Sequence, residues 1–451
     1  MNRRWYLLGL AIIGASVPFQ QPLLIVIGLL VLIVLVTTDI WFTYCLHYLH
    51  YSRQFSEQRV LFGEEVTLAI SIENAKLLPL PWLEIEDTVP RALTLSGRRL
   101  HISLLGDTAI LDNLFSTRWY DRVTRRYTVQ CNARGVHKFG PTVMRSGDVF
   151  GFLSNEKTYE NWQYLLVYPL VVPLTRFSLP SRHPFGDRRA PRRLLEDPAR
   201  VIGVRDYAYG DSLRRVHWKA TARTMQMQSK VYEATTTYTM VIFLNVLGQF
   251  DSFHGLQPEI QELSICAAAS VADWALNEGY AVGLYANTLM FMPEEQIQYA
   301  VKQEDRGAHD LAATVASQLK RRRIHLPPAT SEEQRKRIME VLARIHSHFG
   351  STLEEMVQAE RSRLPAGATV VIITSSVTDP LLETLARVKQ SGHAVTILFV
   401  GDKPTPTHLA GVTVYHLGGS ETWKQLEAAN SRMDKDETQR REQTATVGFR
   451  L

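Results

Sequence analysis

The sequence has little of what usually carries recognisable chemistry. Of its 451 residues only three are cysteine, Cys45, Cys131 and Cys266, and they lie far apart. No CxxC pair or zinc-like spacing is present, and an odd count argues against a disulfide framework. A reducing compartment fits that usage. There is no GxxxxGK[ST] phosphate loop, no GxSxG elbow, no HExxH pair and no glycine fingerprint after a strand. Those gaps remove the standard nucleotide cradle, the α/β-hydrolase nucleophile and the helical zinc pair. A strong charge of one sign is lacking too. Lys and Arg number 50 against 45 Asp and Glu, a net +5 at pH 7. That balance suits an inner membrane surface as well as a nucleic-acid partner, so it decides nothing alone.

What is present begins with two apolar runs, Trp5 to Phe19 and Leu23 to Val36, separated by Gln20-Gln21-Pro22. A signal peptide would stop after one run, at a small-residue cleavage site. Each run is short for a span, because about 20 residues cross the hydrocarbon core. The second can extend to Tyr44 with Asp39 near the interface, and Trp41, Phe42, Tyr44, Tyr48 and Tyr51 read as an aromatic belt. Arg3 and Arg4 precede the pair, and Arg53 and Arg59 follow it. By the positive-inside rule both ends then lie in the cytoplasm. The expectation is a transmembrane helical hairpin in residues 1–52, contacting membrane lipid and holding cytoplasmic domains at the cell membrane. One kinked span with the body outside is the competing reading.

Residues 53–175 change character. "RVLFGEEVTLAISIENA", "WLEIEDTVP" and "TRRYTVQCNARGVHKFGPTVMRSG" alternate apolar and polar residues between Gly and Pro breaks. Short strands between turns predict an antiparallel β-sandwich. Residues 176–235 are a basic, Pro-rich connection ending in a dense motif. Residues 236–420 alternate strand and helix: "YTMVIFLNV", "EIQELSICAAASVADWALNEG", "YAVGLYAN", "ATVVIITSS", "PLLETLARVKQSG" and "HAVTILFVG". That order predicts an open α/β sheet with parallel strands. Ser331-Glu332-Glu333-Gln334 reads as a capping box opening another helix. Residues 421–451, charged and Gln-rich, are expected to be a mobile tail.

The motif is "RDYAYGDSLRRVHWKATART", Arg205 to Thr224. Gly210-Asp211 makes a turn, and Asp211 is placed to cap a helix from Ser212. On that helix Arg214, His217 and Trp218 would share one face, and Arg215, Lys219 and Arg223 would form a basic stripe. Like charges four apart destabilise a bare helix, so their placement is easier to understand opposite something anionic. Three readings stand open. The bases pair with Asp206 and Asp211 while Trp218 packs in a core, making a clamp between domains. Alternatively they face an acidic partner, membrane phosphates or, less favoured, nucleic acid. Last comes an enzyme centre, for which neither a pocket nor a partner orienting His217 is visible.

Ligands of open α/β sheets bind beyond the carboxyl ends of the strands. The first strand ends in Leu244-Asn245-Val246-Leu247-Gly248-Gln249, amides and aliphatics where a hard cation wants carboxylates and hydroxyls. Ser375, Ser376 and Asp379, after a later strand, are better oxygen ligands but lack partners. No metal and no cofactor are expected.

With these residues quoted, the chain resembles the domain of unknown function 58 family, whose signature is R-x-Y-x-x-G-D-x-x-R-x-I-H-W-K-x-[ST]-A-R. Arg205, Tyr207, Gly210, Asp211, Arg214, His217, Trp218, Lys219, Ala222 and Arg223 fall on its positions, with Val216 where Ile is usual. "GDVFGF", Gly147 to Phe152, is similar to the family's D-P-F-G element, with Val149 in place of Pro. The resemblance implies a membrane hairpin, a β-sandwich and a von Willebrand factor A-like domain. It also implies an envelope protein working beside a MoxR-type AAA+ ATPase and other envelope proteins, with no established reaction. The related metal-adhesion site would read D-x-S-x-S, and Asn245, Leu247 and Gln249 replace all three oxygen ligands. The resulting expectation is a non-enzymatic, membrane-anchored interaction or assembly scaffold. An anionic-ligand module acting through the Arg/Lys stripe is the alternative.

Overall fold

A computed structural model of the chain describes residues 10–11, 13–14, 22–96, 100–102, 106–149, 153–177, 179, 185, 196–209, 211–234, 238–246, 250–251, 255–288, 324–345, 352–403, 408–409 and 411–430. Two compact units result, Met1–Tyr168 with Asn430–Leu451, and Pro169–Ala429. The first ends at Tyr168, a few residues before the sequence boundary at 175.

In the first unit, helix α1 (Pro22–Tyr44) opens on proline and carries only one charged side chain, Asp39. Its stretch Ile25–Tyr44 is long and apolar enough to cross a membrane. At 1.5 Å per residue these 20 residues span about 30 Å, the thickness of a hydrocarbon core. The earlier apolar run, Trp5 to Phe19, falls largely outside the described residues, so the second arm of the expected hairpin does too.

Twelve strands follow: β1 (Leu49–Phe55), β2 (Arg59–Val60), β3 (Glu65–Asn74), β4 (Leu80–Pro90), β5 (Thr94–Leu95), β6 (His101–Ile102), β7 (Thr108–Thr117), β8 (Arg122–Gln130), β9 (Gly135–Phe139), β10 (Thr142–Gly147), β11 (Ser154–Tyr159) and β12 (Gln163–Val167). They form sheets ordered β1-β3-β8-β5, β11-β10-β4-β7-β6 and β2-β12-β9. All pairings are antiparallel except β2 with β12. Alternation in sequence becomes alternation in burial: Val66, Leu68, Ile70 and Ile72 of β3 point inward and the residues between them outward. They meet Leu83, Ile85 and Val89 of β4 and Leu111 and Phe115 of β7 in one core. Strand β1 starts at Leu49, inside the stretch 1–52, and runs out of it, so pairing begins before the sequence reading placed it.

One polar cluster sits inside that sandwich. The Arg53 guanidinium donates to Asp87 Oδ1 at 2.6 Å and to the carbonyls of Phe139 and Asn161, while Thr142 and Tyr51 hydroxyls also donate to Asp87. Both charged side chains are fully buried. Tyr51 therefore serves the sandwich interior and not the aromatic belt. Burial next to the Asp87 carboxylate pushes its phenol well above the usual range.

The second unit holds the ribbon β13 (Glu196–Asp206) and β14 (Gln228–Ala234), joined through helix α2 (Trp218–Thr224). Then come β15 (Thr239–Leu244), a short hairpin β16 (Phe250–Asp251) and β17 (Gly255–Leu256), α3 (Pro258–Asn277), β18 (Ala281–Ala286), β19 (Ile324–Ala329), α4 (Glu332–Arg344), α5 (Leu353–Glu360), β20 (Thr369–Thr374), α6 (Asp379–Gln390), β21 (Ala394–Phe399), β22 (His408–Leu409) and β23 (Val412–His416). The large sheet is ordered β19-β18-β15-β20-β21-β23-β22. The five middle strands run parallel, and β19 and β22 close the two edges antiparallel. Strand β18 is buried throughout and β15 and β20 nearly so, as a sheet covered on both faces requires. Val241, Phe243, Val370 and Ile372 pack on Met356, Val357, Leu381 and Leu385 of α5 and α6. Gly279 and Gly392, at φ +80° and +92°, follow α3 and α6, where the left-handed conformation favours glycine.

Ser331 caps α4 as expected, its hydroxyl accepting from the Gln334 amide. The Gln334 side chain does not reach back to complete the box; it donates to the carbonyls of Val282 and Pro327. Strand β19, "IHLPPA", escapes sequence reading because its two prolines suit an edge and not an interior strand. The tail is corrected as well. Residues 420–430 are helical, and Trp423 and Leu426 are buried, so order extends ten residues into the stretch assigned to a mobile tail.

Candidate interaction site on the signature hairpin

The signature occupies the crossing between β13 and β14, whose register pairs Asp206 with Gln228, Arg205 with Ser229 and Val204 with Lys230. Asp211 organises the first half. Its carboxylate accepts from Arg205 Nη2 at 2.7 Å and from the Ala208 amide at 3.1 Å, and its carbonyl accepts from the Tyr207 hydroxyl at 2.7 Å. The Ala208 amide, assisted by the Arg205 guanidinium, holds the Asp211 carboxyl below its ordinary value. Asp211 thus closes a turn behind itself and does not cap a helix ahead.

No α-helix starts at Ser212. Leu213–Arg215 form a single 3-10 turn with no side-chain cap. Val216 then becomes extended, buries its side chain and bridges to Ser229. The helix begins only at Trp218, capped by His217, whose Nδ1 accepts the Ala220 amide at 3.0 Å. The extended Val216 separates Arg214 from His217 and Trp218, so the expected shared face does not form. The basic stripe is likewise reduced to Lys219 and Arg223 on α2. Further bonds fasten the crossing to the start of β14, His217 N to Gln228 O and Gln228 N to the Thr221 hydroxyl, and Tyr207 N donates to the Met227 carbonyl just before that strand. Met225, at φ +56°, ends the helix in the left-handed conformation.

The pairing expected of a clamp is found in part. Arg205 pairs with Asp211, whereas Asp206 accepts from the Gln228 side-chain amide and from no base that the structure records. Trp218 does not enter a core; it is 70% exposed. Arg214, Lys219 and Arg223 are exposed, and among the described residues none has a carboxylate within ion-pair distance. Arg215 is half-buried. Gly210 lies outside the described residues. Sequence reading also missed the apolar company of Trp218: Tyr209, Leu213 and Met225 are all exposed on the same crossing. Their only sequence signal is that apolar residues appear there without strand or helix periodicity.

The strand ends of the large sheet form a second polar group. Asn245, following β15, donates through Nδ2 to Thr374 Oγ1 at 3.0 Å and accepts from Asn287 Nδ2 at 2.7 Å. Asn287 Oδ1 accepts the Val246 amide at 3.0 Å. Amides therefore cross-link three neighbouring strands through neutral bonds. Ser375 is buried beside them, its hydroxyl without a partner among the described residues. Asp379 stands apart and exposed in the first turn of α6. Leu247 and Gln249 lie outside the described residues. Among the described residues no group of three or more His, Cys, Asp or Glu could hold a metal ion.

Comparisons with known proteins bear on the same segment. The family described as "Protein of unknown function DUF58" matches residues 203–446, starting within β13. A protein of Bacillus subtilis (strain 168), described as uncharacterized protein YeaD, is 24% identical over 235 residues, which cover 52% of this chain and 54% of that protein. The chain thus matches about half the length of this curated relative. Among solved structures, a cohesin module from a Clostridium perfringens family 33 glycoside hydrolase matches 27% of the chain and 96% of its own length, at 11% identity and TM-score 0.21. The CARDB domain of the PF1109 protein from Pyrococcus furiosus matches 26% of the chain and 91% of its own length, at 8% identity and TM-score 0.17. Likenesses this distant carry no argument about either fold or function.

Proposed function

The chain belongs to the DUF58 family of proteins of unknown function, and on that premise we propose that it is a membrane-anchored scaffold that catalyses nothing and binds other proteins through the crossing of its signature hairpin. The observation that carries this reading is how the signature uses its side chains. Residue types suited to catalysis are committed to local structure: Asp211 closes a turn and His217 caps α2. Trp218, Tyr209, Leu213 and Met225 remain exposed on the crossing, and so do Arg214, Lys219 and Arg223, which have no carboxylate within ion-pair distance among the described residues. Aromatic and Met side chains with Arg, presented together, have the composition of an interface centre. Helix α1 supplies the anchor. The finer picture is a membrane hairpin, a von Willebrand factor A-like fold for the α/β unit, cytoplasmic placement, and a MoxR-type AAA+ ATPase as partner in an envelope process.

The test is co-purification. The full chain, extracted from its own membranes in mild detergent, should retain an AAA+ ATPase. The double change Trp218→Ala with Met225→Ser should lose that partner at an unchanged melting temperature. Retention undiminished by the double change would move the interface elsewhere, and recovery of no protein at all would end the scaffold reading. The exposed Arg214, Lys219 and Arg223 favour a second reading, a site for phosphate-bearing polyanions. Fluorescence anisotropy with a short polynucleotide should then weaken on Lys219→Ala with Arg223→Ala; equal binding by the variant would dispose of it.

A further inference from the structure

Helix α1 is stitched into the sandwich and does not hang from it by a tether. The Trp41 indole donates to the Pro79 carbonyl at 3.0 Å, and the Cys45 thiol to the Ser146 carbonyl at 3.6 Å. Lys76, itself buried, donates from Nζ to the carbonyls of Cys45 and His47, both at 2.6 Å. It thereby satisfies the Cys45 carbonyl at the helix end and the His47 carbonyl in the turn that follows. The same lacing gathers two sandwich loops around that end. Ala75 N donates to Tyr48 O at 3.0 Å and Tyr120 N to Lys76 O at 3.3 Å. The Asn74 side chain donates to the carbonyls of both Leu78 and Arg118.

What these loops show to the outside is unusual for a soluble surface. Leu77 is 73% exposed, Trp119 62% and Tyr120 66%, next to exposed Tyr44 and Tyr48. A single exposed apolar residue needs no explanation, but a cluster at one place does. Tyr48 and Tyr120 also hold φ values of +53° and +50°, a conformation that aromatic residues seldom adopt. Trp and Tyr are the side chains that settle at a membrane–water boundary, with an apolar body and a polar tip. The depth agrees: the apolar stretch of α1 ends at Tyr44, so the layer just beyond it is the headgroup layer of any bilayer that α1 crosses.

We propose that loops 75–79 and 118–121 of the sandwich lie in the phospholipid headgroup layer of the bilayer that α1 enters, with Leu77, Trp119 and Tyr120 inserted beside Tyr44 and Tyr48. The sandwich is then seated on the membrane at a fixed angle, by one helix and two loops. The proposal rests on the reading of α1 as an anchor.

Depth-dependent quenching tests it on the full chain in phosphatidylcholine/phosphatidylglycerol vesicles. The three native cysteines are buried, so a thiol-reactive fluorophore can be placed at Leu77→Cys, Tyr120→Cys, Glu57→Cys or Leu30→Cys. Glu57 lies beyond the opposite end of β1, roughly 25 Å away along the strand at about 3.3 Å per residue. A headgroup nitroxide lipid should quench the probes at 77 and 120 at least about twice as strongly as the probe at 57. An acyl-chain nitroxide should quench the probe at Leu30. Equal quenching at 77, 120 and 57, with Leu30 quenched from the acyl chains, overturns the seating and leaves the anchor standing. No quenching at Leu30 overturns both.

Discussion

Two guanidinium–carboxylate pairs in this chain have nearly the same length and opposite settings. Arg53 meets Asp87 at 2.6 Å with both side chains fully buried, and Arg205 meets Asp211 at 2.7 Å with the arginine about half exposed. In sequence the second pair is the conspicuous one, because it sits in a dense motif, while Arg53 and Asp87 lie 34 residues apart in unremarkable strands. The energetic order is the reverse. Water screens the Arg205 pair and leaves it little weight beyond shaping a turn. Inside the sandwich, losing either partner strands a charge that nothing else neutralises.

The largest expected effect tests that order directly. Asp87→Ala should destabilise the sandwich by about 3–5 kcal/mol, read by denaturant titration of the full chain in detergent with hydrogen exchange followed across β4. A loss no greater than that of an ordinary surface substitution would erase the contrast. A second buried charge sharpens it. Among the described residues Lys76 has carbonyls and no carboxylate for company, and burial lowers its ammonium from 10.5 to about 8. Between those values the unfolded chain binds more protons than the folded one, so stability rises with pH across that window. The gain is at most about 3 kcal/mol. Melting followed from pH 7.5 to pH 10 should show the rise, and Lys76→Met should flatten it.

The smallest effect is expected at the exposed pair. Arg205→Ala should leave the melting temperature unchanged within error while amide exchange at Ala208 accelerates, since the guanidinium only supports a turn that the Ala208 amide also holds. Because the Asp211 carboxyl is lowered in the folded state, its contribution is present above the ordinary carboxylate value. It is lost as pH falls through the lowered one. Asp211→Asn should remove that acid-side loss, and a large drop in stability at neutral pH would show the pair to be more than a turn.

Much of the architecture was legible because hydrophobic period survives folding directly. The alternation in "VTLAISIEN" is the burial pattern of β3, and the unbroken apolar run "TMVIFL" is the buried strand β15. The left-handed turns at Gly279 and Gly392, after α3 and α6, are likewise local backbone requirements. The candidate site was less legible. A helix from Ser212 fitted the capping rule at Asp211, but pairing of Val216 with Ser229 pulls the chain into an extended bridge first. The cap consequently passes from Asp211 to His217. Asn245 shows the same limit from another side. Its identity argued against a cation ligand, yet only the sheet order brings Asn287 and Thr374 within bonding distance of it.

By itself the sequence determined where the apolar helix lies, which stretches alternate as strands, and which segment carries the family signature. Each of these depends on residue type and spacing over fewer than about 20 neighbours. Tertiary structure alone decided which charges are buried and which aromatics are left outside. Trp119 and Tyr120 join Tyr48 in one surface only because Lys76, Asn74 and Ala75 draw three separated turns together by hydrogen bonds. The burial of the Arg53–Asp87 pair and the exposure of Trp119 and Tyr120 depend on partners distant in the chain, so local spacing holds no record of them.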